Sequence, residues 1–491
     1  MEQQETRDTG SLSGQLAVVL VAATSGLVLV LEILAGRLMA PFIGVSLDTF
    51  TGIIGTILAG IAAGAAVGGN LADKHDPVQL IARSLLLGGA LTWLSIPIVA
   101  ILGPSVGAGP PAIVVLTAAA FFLPAAVLSG IGPMVAKLQL GSIAETGAVV
   151  GRLSAASTFG ALVGTFGSGF VLIAFLPVRT IIIGVGAVLL VAGLGLAFKT
   201  GRGKPSAVEV AAVLFVALVA STTGSGCGIT TTYYCVNIIA DAPDDPEGRD
   251  HGRSLIIDGL RHAHVDLDDA EFLDIRYMRI FAAAAETLPA GPLRVLHVGG
   301  GGFSLPRYIS SVRPGSTNTV LELDADLVDI ARTELGLTDA DALDIRTGDA
   351  RLHLDDLETD GFDLIVGDAF GGSSVPWHLT TVEVMREIDR LLAPGGTYVM
   401  NVIDGGDSRF ARAELATLGE VFGNLSMIEP QDGIPNRPVN QVLIASHTSI
   451  PLVPIVEEDG RQLSASEVSL YVGEDAIVLT DDFAPADQLL P

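Results

Sequence analysis

The chain has 491 residues, 49% of them hydrophobic and 16% charged, with a net charge of −27; that is too long for one domain and too apolar for an ordinary soluble protein. Residues 1 to about 224 are nearly uncharged, whereas most Asp and Glu follow from about 229, and all four lysines (Lys74, Lys137, Lys199, Lys204) fall in the first half. A lysine-free acidic half repels a nucleic-acid backbone, which excludes nucleic acid as a partner and leaves small cations, with acidity serving solubility alone as the plain alternative.

Residues 1–14 are polar and read as a disordered tail. The apolar run after them is too long for a signal-peptide core and lacks a small-residue cleavage site. Seven apolar stretches of spanning length follow, at about 15–36, 49–70, 79–102, 112–136, 149–175, 178–198 and 207–224, so residues 15–224 read as a multi-pass helical domain in a lipid bilayer. The seventh is the weakest. Small residues recur every fourth position in the second stretch (Gly52, Thr56, Gly60, Gly64, Gly68) and the fifth (Gly160, Gly164, Ser168), the pattern that lets helix backbones approach closely in lipid. Glu32 and Arg37 stand inside or near the end of the first stretch, either as a structural pair or as part of a polar site.

Basic residues set the expected orientation. Lys74 and Arg83, Lys137 and Arg152, and Lys199, Arg202 and Lys204 flank alternate loops, against only Arg37 and Arg179 in the others. The three basic loops are then cytoplasmic. Seven crossings put the second half outside the cytoplasm; six put it inside. Cys227 and Cys235, just after the last apolar stretch, are either a disulfide of an oxidising compartment or two buried thiols. No histidine pair at ligand spacing accompanies them, so no metal site is expected.

Residues 229–268 carry two strand-like runs, Tyr233 to Ala240 and Ser254 to Val265, and read as a small β-hairpin module. An amphipathic helix from Asp269 to Thr287 leads into alternating strands and helices over 269–446, followed by a tail, 447–491. The first strand of this Rossmann-like region, within LRVLHV, meets Gly299, Gly300, Gly301 and Gly302 and then a helical segment. That is how a strand turns beneath a nucleotide. The next strand ends in Glu322, placed to accept ribose hydroxyls; the third ends at Gly348-Asp349 and the fourth at Asp368. Three carboxylates at the carboxyl ends of successive strands mark an adenosyl-type pocket, because ligands of open α/β sheets sit at those ends.

These pieces, in this order, resemble the spermidine synthase (polyamine aminopropyltransferase) family, and the apolar half makes the chain similar to the bacterial group in which multi-span segments are fused to such a domain. The matching segments are Leu255-Ile256-Ile257-Asp258-Gly259, VLHVGGGG, LELDADLV, Gly348-Asp349-Ala350, Val366-Gly367-Asp368 and LLAPGGTYV. The resemblance implies a class I methyltransferase fold and transfer of an aminopropyl group from decarboxylated S-adenosylmethionine, a co-substrate rather than a bound cofactor, to putrescine or a related amine. It implies Glu322 on the ribose, Asp349 on the adenine amino group and Asp368 as general base. An ammonium cannot attack a sulfonium carbon until a carboxylate takes its proton. Homo-oligomers are left open.

Three family positions differ: Gly302 replaces the Asp of the glycine run, His262 replaces a Gln, and the second Asp after Asp368 is missing from AFGGSSVPWH. His262, His264, Tyr277, Ser373 and His378 are candidates to compensate at the amine end, the alternative for a histidine in a strand being a structural role. Trp377, beside Pro376, is a pocket wall or plain packing. Two rival functions share the retained contacts: an S-adenosylmethionine-dependent methyltransferase, and a membrane-tethered polyamine or nucleoside sensor without turnover.

Overall fold

The structure is a computed structural model that describes residues 13–107, 109–140, 146–224, 227–241, 251–369, 375–431 and 438–490. Ser373 and nearly all of the N-terminal tail lie outside these residues, as does most of the polar stretch after Asp241. The chain forms two compact units, Met1–Cys227 and Gly228–Pro491.

The first unit is helical. Among the described residues, six helices are long and apolar enough to cross a membrane: α1 Gly14–Ile43, α2 Leu47–Lys74, α3 Pro77–Val106, α4 Pro110–Gln139, α5 Thr146–Phe175 and α6 Val178–Thr200. The seventh stretch forms a shorter helix, α7 Ala207–Thr222. That corrects the expectation of seven spanning-length helices, since its 16 residues rise about 24 Å against a hydrocarbon core of about 30 Å. Gly201 in a left-handed turn, followed by the loop through Pro205, delays the start of this helix.

The small residues do what their spacing requires. A Cβ on Gly64 would overlap the Ala126 carbonyl, one on Gly68 would lie 2.5 Å from Gly130, and one on Gly60 2.9 Å from the Phe122 carbonyl, so α2 lies backbone to backbone on α4. Gly160 and Gly164 bring α5 onto the Ala22 and Gly26 carbonyls of α1 in the same way. A Gly64→Val substitution is therefore expected to destabilise the helical unit by about 3 kcal/mol or more. The check is thermal unfolding in detergent, with Gly55→Val, at a position with open space around it, as the control that leaves the midpoint unchanged. Glu32 is partly buried on α1.

Contacts within this unit fix the path of α7. Before it, Arg202 pairs with Asp76 at 3.5 Å and Gly203 packs on Gln79, at the start of α3. After it, Arg179, at the start of α6, donates to the Ala220 and Ser221 carbonyls, both at 2.7 Å. Gly224 shares a small cavity with Leu38, Phe42, Ile96, Val99, Ala100 and Arg179. The segment thus runs most of the length of α3, and leaves the bundle at the end where α1 finishes.

Cys227 and Cys235 are disulfide-bonded. A four-stranded antiparallel sheet follows, in the order β1 (Ile229–Thr230), β2 (Cys235–Ala240), β3 (Gly252–Ile257), β4 (Leu260–Asp266). The run expected as one strand from Ser254 to Val265 is two: Asp258 and Gly259, with φ of 49° and 83°, fold it back on itself. An Asp-Gly pair with both φ positive is the preferred tight hairpin turn.

The main sheet has eight strands in the order β12 (Arg461–Leu463), β10 (Asn424–Glu429), β11 (Val439–Ser446), β9 (Leu392–Asp404), β8 (Phe362–Gly367), β5 (Arg294–Val298), β6 (Thr317–Glu322) and β7 (Asp344–Thr347), with β7, β6, β5, β8 and β9 mutually parallel and β11, β10 and β12 paired antiparallel at one side. Alternate residues face opposite layers. Val295, Leu364, Val366 and Val399 pack with helix α8 (Arg276–Glu286), while Leu296, Ile365, Tyr398 and Met400 pack with α12 (Val382–Leu391) and α13 (Arg409–Gly419). Strand order reverses between β5 (Arg294–Val298) and β8 (Phe362–Gly367), and the crevice at such a reversal is where doubly wound sheets take ligands. The segment after residue 446 adds β12 (Arg461–Leu463) to the edge and buries Val468, Leu479 and Ala486. It is tied to α8 by the Arg279 and Asp459 ion pair.

Candidate active site

The site assembles where β5 and β8 end. Gly299, at φ 104°, lies against the Asp368 carbonyl where any Cβ would overlap, and the Asp368 N–H donates to Val298 O at 2.8 Å. The glycine run is therefore fixed by the strand beside it. Gly300 and Gly301 aim their N–H groups at Glu322, at the end of β6 (Thr317–Glu322): both reach Oε2, at 2.9 and 3.1 Å, and the Asp324 N–H reaches Oε1 at 3.0 Å. A carboxylate has about four acceptor positions, so these three bonds leave capacity on Oε1 for a hydroxyl donor. Burial raises the Glu322 pKa, and the backbone N–H groups oppose that shift.

Asp349 caps the short helix Ala350–Leu354 by accepting from the Arg351 N–H at 3.0 Å, and its other oxygen lies 3.2 Å from His378 Nε2. His378 therefore stands at the Asp349 end of the site. It is not among the groups around Asp368, the place proposed for it in compensating the amine end. Near the end of β8 a small cavity is lined by Val298, Gly367, Ala369, Val375, Pro376 and Leu379, together with core residues such as Leu354, Ile388 and Met400. Trp377 is half exposed and meets the His378 ring edge-on.

Asp368 is the most perturbed acid of the site. Tyr277, on α8, donates its hydroxyl to Oδ2 at 3.0 Å, and Asn401, on β9 (Leu392–Asp404), donates Nδ2 to Oδ1 at 3.0 Å. Burial pushes its pKa up to about 6 against the pull of those two bonds. A carboxyl with that value is ionised at neutral pH yet basic enough to take a proton. The backbone carbonyl of His262 lies 3.4 Å from the same Tyr277 hydroxyl, and burial pushes the His262 imidazole down to about 4, leaving it neutral with Nε2 unpartnered. His264 is occupied elsewhere, at 2.9 Å from Asp241. The site thus joins Asp368 with Tyr277 and His262, and Asp349 with His378.

Asn401 was not visible as a site residue from motifs alone. Its signal was an amide at 2% exposure inside the apolar strand run YVMNVI, because a buried polar group without a partner costs about 1–3 kcal/mol. Gly302 is also explained. A Cβ there would stand 2.6 Å from the Ala263 Cβ of β4, so the space an acidic side chain would use is taken by the small sheet.

The fold is that of a class I methyltransferase-type domain, with carboxylates at the ends of its parallel strands. No protein-family model matches the chain. It is 28% identical over 242 residues to a polyamine aminopropyltransferase of Vibrio vulnificus, covering 45% of this chain and 79% of that protein. It is 31% identical over 140 residues to an eEF1A lysine and N-terminal methyltransferase of Danio rerio, of which only 20% is covered. A solved structure of a probable spermidine synthase from Corynebacterium glutamicum matches 53% of this chain and 98% of that one at 29% identity, with a TM-score of 0.48. Through its second unit the chain is similar to members of the spermidine synthase family.

Proposed function

We propose that this protein is a membrane-bound aminopropyltransferase that moves the aminopropyl group of decarboxylated S-adenosylmethionine to putrescine or a related small amine. The observation that carries the reading is Asp368, held between Tyr277 and Asn401 with its pKa near 6 beside the glycine loop. In the reaction the acceptor nitrogen, its extra proton passed to Asp368, attacks the propyl carbon bound to sulfur. The C–S bond breaks with its electron pair going to sulfur, and methylthioadenosine leaves. Glu322 takes the ribose hydroxyls, Asp349 the adenine amino group, and the backbone of Gly299, Gly300 and Gly301 the close approach of the nucleoside. In-line placement of nitrogen, carbon and sulfur supplies much of the remaining rate. The test is purified full-length protein given either the decarboxylated or the intact donor with putrescine, and the product weighed by mass spectrometry. A methylated product would replace this reading with the methyltransferase, and Gly302, which removes one acid from the donor's amine end, is the residue that leaves room for it.

A second reading has its own observation. Although α7 alone is shorter than a span, the segment from Arg202 to Ser221 runs from the Asp76 end of α3 to the Arg179 end of α6, and the basic residues gather at the Asp76 end of the bundle. With the Cys227 and Cys235 bridge, these support a second unit on the extracytoplasmic side. There, apart from intracellular adenosyl donors, the same pocket would serve as a sensor of amines or nucleosides. Paired reporters fused after Pro491, one active only in the cytoplasm and one only outside, are expected to show the outside location. A cytoplasmic signal would remove the sensor reading.

A further inference from the structure

Asn401 is an amide with two different ends. Turned one way it offers N–H to Asp368 and stabilises the carboxylate; turned the other way it offers a carbonyl and favours the protonated acid. Its second neighbour decides which. Asn440, on β11 (Val439–Ser446) next to β9, donates Nδ2 to Asn401 Oδ1 at 3.0 Å, which occupies the carbonyl and leaves the Asn401 N–H2 for Asp368 Oδ1 at 3.0 Å. Asn401 is buried at 2% exposure, so water is not there to satisfy its carbonyl in place of Asn440. The bonds form a directed chain, Asn440 to Asn401 to Asp368, met from the other side by Tyr277.

We propose that Asn440 is a positioning residue: by donating to Asn401 it fixes which end of that amide faces Asp368, and through it sets the protonation of a carboxylate it does not touch. The proposal rests on the reading of Asp368 as the base, and goes beyond it by assigning control of that base to the neighbouring strand. The titratable group that meets Asp368 is Tyr277 from α8, whose hydroxyl also lies 3.4 Å from the backbone carbonyl of His262 on β4. Among the described residues, what acts on its carboxyl is burial and the two hydrogen bonds from Asn401 and Tyr277.

The test is a double-mutant cycle on the full-length protein in lipid or detergent, with two readouts. One is the titration of the Asp368 carboxyl by its carbon-13 signal, assigned by its loss in Asp368→Asn. The other is the pH dependence of kcat/KM. Asn440→Ala is expected to raise the carboxyl midpoint by about one pH unit, as does loss of a hydrogen bond to a charged form. Asn401→Ala should raise it at least as much, and the double variant no further than Asn401→Ala alone. A midpoint unmoved by Asn440→Ala, or an equal further shift in the Asn401→Ala background, overturns the relay. Should Asn440→Ala fail to fold, Asn440→Val keeps a strand-forming residue and equally lacks the donor. If the carboxyl shifts as expected while wild-type protein turns over neither donor, the relay stands and the transferase reading falls.

Discussion

Asp368→Asn is expected to lower kcat by about 10²- to 10⁴-fold, the range that a positioned proton acceptor contributes, while adenosyl-ligand affinity changes by no more than a few-fold. The substitution keeps the shape of the side chain, and the groups assigned to the nucleoside, Glu322 and Asp349, lie on other strand ends. In wild-type protein, kcat/KM should climb with pH through about 6, where Asp368 ionises. Stability should respond in the opposite sense. Because the folded pKa is raised above 3.8, the folded state holds this proton more tightly, so the group's contribution is greatest below the unfolded pKa and is lost as pH rises through the folded one. Asp368→Asn should therefore gain stability relative to wild type between pH 4 and 7, by up to about 3 kcal/mol. Turnover, calorimetric binding and thermal melts at both ends of that range decide it; full activity in the variant would show that another group takes the proton.

Glu322→Gln is expected to weaken adenosyl-ligand binding by about 10- to 100-fold and to lower the melting temperature of the second unit. The Glu322 carboxylate collects three backbone N–H donors, from Gly300, Gly301 and Asp324. A glutamine has one acceptor oxygen, so its N–H2 must face at least one of those donors, and a buried donor left unsatisfied costs about 1–3 kcal/mol. The glycine loop would shift, and with it Gly299, which packs on the Asp368 carbonyl. Turnover should then fall through donor affinity, seen as a rise in KM larger than the fall in kcat. An unchanged affinity together with an unchanged melt would show that the loop is held by β5 and β8 alone.

The class of the second unit was legible in the chain because its signals are local. A glycine run after an apolar strand, and an acid at the end of each following strand, have meaning at fixed short spacing, and the structure puts Gly299, Glu322, Asp349 and Asp368 at the strand ends expected of them. The small residues of α2 and α5 were legible for the same reason: a four-residue period places them on one helix face whatever that face meets. The Asp258-Gly259 turn is local too: the pair falls within one of the family-like segments, yet the apolar residues that continue past it read as one strand running straight through.

Other features depended on partners far apart in the sequence. Asn401 and Asn440 are unremarkable strand residues until the β9 and β11 pairing stacks them beside Asp368. His378 has nothing in its own segment to send it to Asp349 rather than to the amine end; the fold of β7 and β8 does that. The seventh apolar stretch looked weak because length and hydropathy are read along one helix, whereas its path across the bundle is fixed by Arg179 and Asp76 in other helices. Sequence by itself determined the two-unit plan, the glycine run and the acids at the strand ends, since each rests on periodicity or spacing along one stretch of backbone. Only the tertiary structure decided how that base is held, because hydrogen bonds between side chains of different strands are set by sheet order and register, which no single segment encodes.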